Sequence, residues 1–266
     1  MSPIRLKPLV IAGLSAVFVL AVVLVAKVRY DVDVPLVDEV VENEIPVLLV
    51  HGYGGGPESM SVLERLLQEQ DRRVVSVALP GSGRGDIVAS ARALDEVIAA
   101  EGTPWVDVVG FSAGGLVART LVLQEGDDGN VRFLVSLGTP HHGTRLAGLA
   151  TAFDPSLCAR ACWQMIPGSR FLRKLNSRGD EPPRASVTSI FSADDGVVNP
   201  PGSARLRWAQ NIRIQDVCPN AHVPHARLVT EPVAIGLVVA ALNGGPGEID
   251  PTSCDDVRQL GTVPEN

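Results

Sequence analysis

Short apolar runs that alternate with helical patterns predict an α/β fold, a mostly parallel central sheet with helices on both faces. Three observations carry this. Runs such as Val47–Val50 and Trp105–Val109 read apolar on both faces, as strands covered on two sides do. The stretches between them have the spacing of amphipathic helices. Gly (26) and Pro (20) are plentiful in the 266 residues while aromatic residues make only 4%, a mix suited to many tight connections.

The elements follow in chain order. Arg5 and Lys7 precede an uncharged, mostly apolar run, Leu9–Ala26, closed by Lys27 and Arg29. As a helix this run reaches ~27 Å, close to the ~30 Å of a hydrocarbon core. Residues 1–29 are therefore expected to be a transmembrane signal-anchor or a signal peptide. The best small-residue pair for cleavage, Leu24 with Ala26, is poor, which favours the anchor. Two basic residues on each side leave the orientation open. Residues 30–45 are acidic and lack a helical stripe, as a stalk would. A single domain is expected over 46–243, with an irregular tail over 244–266.

Within the domain, Val47–Val50, Val74–Leu79, Trp105–Val109, Val131–Leu137, Val187–Phe191 and Ile212–Gln215 are the strand candidates. Asp86 is placed to cap a helix whose buried stripe runs Ile87, Ala91, Leu94 and Ile98. A second helix runs to about Gln124. The last spans about Glu231–Leu242, with Pro232 in its first turn and Gly244 past its end.

Bulk properties exclude several functions. Hydrophobic residues make up 45% of the chain, ample for a core, and the net charge of −7 comes with no basic block. Nucleic-acid binding needs a concentrated positive patch, so that class is set aside. The four cysteines, Cys158, Cys162, Cys218 and Cys254, all follow the apolar run, and none sits in a CxxC or C…H zinc spacing. Two disulfides in an exported domain are expected, Cys158 with Cys162 and Cys218 with Cys254; buried thiols are the alternative. The histidines offer no HxH or HxxxH chelating pair, so no metal is expected.

Chemistry concentrates at Gly110-Phe111-Ser112-Ala113-Gly114, a G-x-S-x-G. The pattern alone is weak, but here a strand precedes it and a helix-compatible LVARTLVL follows, the context of a nucleophile elbow. Acyl transfer on Ser112 generates an oxyanion that needs two preorganised N–H donors. One is expected from Ala113, the other from Tyr53 in the HGYGGG loop after the first strand. That loop matches neither G-x-G-x-x-G nor a lysine-bearing phosphate loop, which argues against a nucleotide.

A serine hydroxyl needs a base, and the base an orienting acid. His51 belongs to the HGYGGG turn. His141 and His142 in LGTPHHGT could line a site but precede every candidate acid. His222 and His225 remain; His225 is preferred because it sits six residues before Glu231, in HARLVTEP. Asp194 and Asp195 follow a strand in VTSIFSADDGVVNP, and Asp195 is preferred as the acid, with Asp194 a solvated turn residue.

HGYGGG, GFSAGG, LGTPHHGT, FSADDGVV and HARLVTEP together resemble, in order and spacing, the bacterial lipases and triacylglycerol esterases of the α/β-hydrolase superfamily, and most of all an exported actinobacterial branch. The resemblance spans about 45–243. It implies an α/β-hydrolase fold and a Ser112, Asp195, His225 triad, with Tyr53 and Ala113 as oxyanion donors. It further implies hydrolysis of esters of lipid-like alcohols without a cofactor. Segment 148–175 lies where members differ in carrying a lid. Two rivals stand beside this reading: a cell-envelope thioesterase or acyltransferase with the same triad, and a membrane-tethered binding module with a dead site. The protein is expected to act as a monomer on a lipid or ester substrate, with its domain outside the cytoplasmic membrane, or secreted if the N-terminal segment is cleaved.

Overall fold

The computed structural model describes residues 44–123, 130–153, 156, 158–177, 183–244 and 253–263. The apolar run Leu9–Ala26 and the acidic stalk up to residue 43 lie outside the described residues. Among the described residues no helix is long and apolar enough to cross a membrane.

Six parallel strands form one sheet: β1 Val47–Val50, β2 Val74–Val77, β3 Val106–Phe111, β4 Val131–Leu137, β5 Ser186–Phe191 and β6 Gln210–Arg213. Their order is β2-β1-β3-β4-β5-β6. The chain reverses its direction of travel at β1, so β1 and β3 flank the switch point where open parallel sheets take ligands at their carboxyl ends.

Because successive side chains point to opposite faces of a strand, β1 supplies both cores. Leu48 and Val50 pack with α2 (Ile87–Glu101) and α3 (Ala113–Val122); α5 (Arg160–Gln164) and α6 (Arg170–Ser177) extend that face. Val47 and Leu49 pack with α1 (Ser61–Glu69), α8 (Pro232–Gly244) and α9 (Cys254–Leu260) on the other. Two further helices complete the order, α4 (Arg145–Phe153) and the one-turn α7 (Ile214–Val217). Helix α2 starts as expected, with the Asp86 carboxylate accepting from the Val88 and Ala89 N–H groups at 2.9 and 3.3 Å.

Two expectations need correction. The sixth strand is Gln210–Arg213, not Ile212–Gln215. Ile212 and Ile214 alternate like strand residues, but Ile214 opens α7 and is fully buried. The tail is not irregular throughout: Ser253 caps α9 by accepting from the Asp256 N–H. Both disulfides form with the expected pairing, Cys158–Cys162 and Cys218–Cys254. The second ties α9 to the end of α7, while Gly236 of α8 and Gly261 let the two backbones close to a spacing that a side chain would block.

Candidate active site

Ser112 sits between β3 and α3 with φ 54° and ψ −121°, a backbone that a residue other than glycine rarely adopts. Burial and crowding on both sides hold it there. A Cβ at Gly110 would strike the backbone of Gly115, and one at Gly114 would strike the Val50 carbonyl at the end of β1. Glycine is therefore required at both places for steric reasons, and the G-x-S-x-G spacing follows from them. The turn brings the hydroxyl to the carboxyl edge of the sheet, beside the switch point.

Two loops meet it. Asp195 follows β5 and His225 follows α7. His225 Nε2 lies 3.0 Å from Ser112 Oγ, and its Nδ1 lies 2.7 Å from Asp195 Oδ2. The Asp195 side chain is 1% exposed and that of His225 is 11% exposed. Asp195 Oδ1 accepts from the Val197 and Val198 N–H groups at 2.9 and 2.8 Å. Two main-chain donors and one ring donor thus stabilise the ionised carboxylate. With the proton on Nδ1 facing that carboxylate, the Nε2 lone pair faces the serine hydroxyl.

Tyr53 follows His51 and Gly52 on the loop after β1. His51 is buried and shapes this turn as expected: its Nε2 accepts from the Leu79 N–H at 3.2 Å, and Nδ1 lies 2.8 Å from the Gly52 carbonyl. Among the described residues, neither the Tyr53 nor the Ala113 main-chain N–H has a protein hydrogen-bond partner.

Ser112 and His225 open into a cavity of about 370 Å³, with Asp195 buried behind them. Phe111, Leu146, Ala147, Ala150, Met165 and Val198 give it an apolar wall. Sequence reasoning missed these residues. Phe111 lies inside the motif and tilts against the His225 ring, with centroids 4.9 Å apart. The others read as ordinary core residues, without a local signal. Segment 148–175, open from sequence alone, supplies part of the wall through Ala150, Cys162 and Met165.

The remaining histidines stand apart. His222 pairs with Asp194 at 3.0 Å on the surface. His141 and His142 do not line the cavity. His141 is fully buried with Nε2 3.0 Å from Ser136 Oγ, and burial, with Arg119 and His142 nearby, holds it well below its usual pKa. Arg119 donates to Asn176 Oδ1 at 2.8 Å and to the His141 carbonyl at 3.4 Å, and is pulled down to about 10 by burial. Among the described residues no group of three or more His, Cys, Asp or Glu is gathered to hold a metal ion.

The family model described as "Alpha/beta hydrolase family" matches residues 47–262. Lipase B of Pseudozyma antarctica is 28% identical over 164 residues, covering 59% of this chain and 47% of that protein. The chain therefore spans about half the length of that curated relative. Among solved structures, Aspergillus fumigatus lipase B superposes with a TM-score of 0.67 at 23% identity, over 82% of this chain and 60% of that one. The mature Bacillus licheniformis lipase BlEst2 gives 0.60 at 17% identity, over 75% and 92%. At these identities the solved structures speak for the fold alone.

Proposed function

The chain belongs to the alpha/beta hydrolase family, and from this premise we propose that it is a serine hydrolase cleaving carboxylic esters of lipid-like substrates. The observation that carries the reading is the hydrogen-bonded line from Asp195 through His225 to Ser112 at the lip of an apolar cavity. Each member has one task. His225 Nε2 takes the proton of Ser112 Oγ as the oxygen attacks the ester carbonyl. Asp195 fixes the imidazole tautomer and stabilises the imidazolium, without taking the proton itself. The main-chain N–H groups of Tyr53 and Ala113, without partners among the described residues, receive the tetrahedral oxyanion. The alcohol leaves with the proton from His225. Water, deprotonated by the same nitrogen, then attacks the acyl-enzyme and frees the acid and Ser112.

The apolar wall supports an acyl chain over a polar substituent. Each methylene it buries is worth about 0.8 kcal/mol, roughly fourfold in kcat/KM. We expect kcat/KM on p-nitrophenyl esters to climb from acetate toward hexanoate, and Ser112→Ala to abolish both turnover and labelling by a fluorophosphonate. Labelling that survives Ser112→Ala overturns the reading.

The finer placement, with exported bacterial lipases of actinobacterial type, rests on the order of the five motifs. Two disulfides suit an oxidising compartment, and Leu9–Ala26 has the length of an anchor. On these grounds the catalytic domain is proposed to act as a monomer outside the cytoplasmic membrane. Protease added to intact cells should digest it; protection until lysis would place it inside.

A further inference from the structure

The Cys158–Cys162 disulfide closes a small ring of chain, and Cys162 stands in the wall of the cavity. From inside that ring the Ala159 N–H donates to the Tyr53 hydroxyl at 3.1 Å. Two residues on, the Ala161 N–H donates to the Arg84 carbonyl at 3.1 Å. The Arg84 guanidinium lies over the Tyr53 ring, 5.8 Å from its centroid. The phenol is thus held between Arg84 and the disulfide ring, which are bonded to each other.

The ring is itself anchored. Arg160 Nε and Gln164 Nε2 both donate to Asp86 Oδ2 at 3.1 Å, and Gln164 Oε1 accepts from the Ile87 N–H at 2.8 Å. Asp86 caps α2, so α5 is docked on the start of a core helix. The main chain beside Tyr53 has bonds of its own, from the Gly54 N–H to the Ser82 carbonyl at 2.8 Å and from the Gly55 N–H to the Gly52 carbonyl at 3.3 Å, but they hold the glycines and not Tyr53 itself. It runs from Gly52 into Gly54, Gly55 and Gly56, with Gly54 at φ 73°. A glycine run samples many conformations, and an oxyanion donor acts only where it is already in place before charge develops.

We infer that the Tyr53 phenol and the Cys158–Cys162 ring form a strut that positions the Tyr53 main-chain N–H for the oxyanion. Both are positioning groups and touch no reacting atom. The inference rests on the ester-hydrolase reading above. Removing an oxyanion donor outright costs about 100- to 1000-fold in kcat; loosening one that stays present costs less, about three- to tenfold.

The test compares wild type, Tyr53→Phe, Cys158→Ser/Cys162→Ser and the triple variant on p-nitrophenyl butyrate. Fluorophosphonate titration counts active sites, so a partly misfolded preparation does not count as a slow one. Tyr53→Phe is expected to lower kcat per titrated site about three- to tenfold with KM within about twofold. Inhibition by a trifluoromethyl ketone, whose serine adduct carries the oxyanion, should weaken by the same factor. The triple variant should be no slower than the slower of its parents, because both sever one connection. An unchanged kcat in Tyr53→Phe overturns the strut, as do losses that multiply in the triple variant. A raised KM at constant kcat also overturns it, assigning the ring to shaping the cavity. If the disulfide variant does not fold, Tyr53→Phe and its ketone affinity decide alone. A wild type inactive on every ester brings down the hydrolase reading and the strut with it; an active wild type beside an unaffected Tyr53→Phe brings down only the strut.

Discussion

Two aspartate–histidine pairs join the same two loops, one residue apart at the acid and three apart at the histidine. Asp194 meets His222 at 3.0 Å where the histidine side chain is 83% exposed. Asp195 meets His225 at 2.7 Å where the two side chains are 1% and 11% exposed. The outer pair is braced by Gln215, which donates to Ser192 Oγ and the Ala221 carbonyl at 3.0 and 3.1 Å. The inner acid is held instead by main-chain N–H groups, and its histidine has a second partner in Ser112. Proximity of an imidazole and a carboxylate is therefore not what marks the reactive pair. Burial makes the inner interaction strong, and the free edge of the imidazole facing a serine makes it useful.

The comparison predicts a wide gap in kinetics. His225→Ala is expected to lower kcat by about 100,000-fold or more, and Asp195→Asn by about 10,000-fold, since a lost base removes proton transfer while a lost acid misorients it. Both measurements use p-nitrophenyl butyrate at saturation. A loss below about a hundredfold for His225→Ala would show that another group takes the proton.

Gly138 sharpens the contrast at the next scale. It lies under the inner pair at φ 57°, and a Cβ there would press on Leu228 while standing 3.3 Å from Asp195 Oδ2 and 3.4 Å from His225 Cε1. Gly138→Ala is expected to cost about 1–3 kcal/mol in urea unfolding, from the left-handed backbone and the overpacking together. It should also lower kcat more than it changes KM. Full stability with full activity would mean that the inner pair tolerates displacement.

Much of this arrangement was legible in the sequence for physical reasons. Ser112 needs glycines on either side, strands covered on two faces need continuous apolar runs, and Asp86 needs only its own helix to act as a cap. The unread parts depend on distant chain. Tyr53 and Ala159 are 106 positions apart, and Asp86 binds Arg160 and Gln164 from another helix. Leu146, Met165 and Val198 are apolar like any core residue until the fold turns them toward the serine. Helix α9 buries Val257 and shows no stripe, so only its seat on α8 reveals it. Of the two acids and two late histidines, local context ranked the inner partners first, Asp195 by the Gly-Val-Val-Asn-Pro after it and His225 by its spacing to Glu231, yet nothing in it showed that the outer ones would also pair.

His141 is the third kind of histidine, buried with no acid. Burial, then Arg119 and His142, hold its folded pKa well below the usual 6.5. The unfolded chain takes up a proton below about pH 6.5 that the folded chain refuses. Stability is therefore full above that pH and falls as the medium is acidified, by up to about 1.4 kcal/mol per pH unit from this one group. His142, also depressed by burial, adds in the same direction. Urea unfolding of His141→Gln at pH 7.5, 6 and 5 should show a shallower loss than wild type. Parallel curves would mean that the buried ring gains a proton without cost.

The smallest effect belongs to the outer pair, and it is the one most able to break the comparison. Asp194→Asn and His222→Ala should each leave kcat/KM within about twofold, because neither side chain reaches Ser112 or the cavity. Their coupling in a double-mutant cycle of unfolding should be at most about 1 kcal/mol and should shrink in high salt, as for an exposed ion pair. Gln215 keeps the two loops joined when either partner is gone, which is why the activity should hold. A tenfold fall in kcat for His222→Ala at unchanged stability would assign the outer pair to setting the His225 loop, and the two pairs would then be one device.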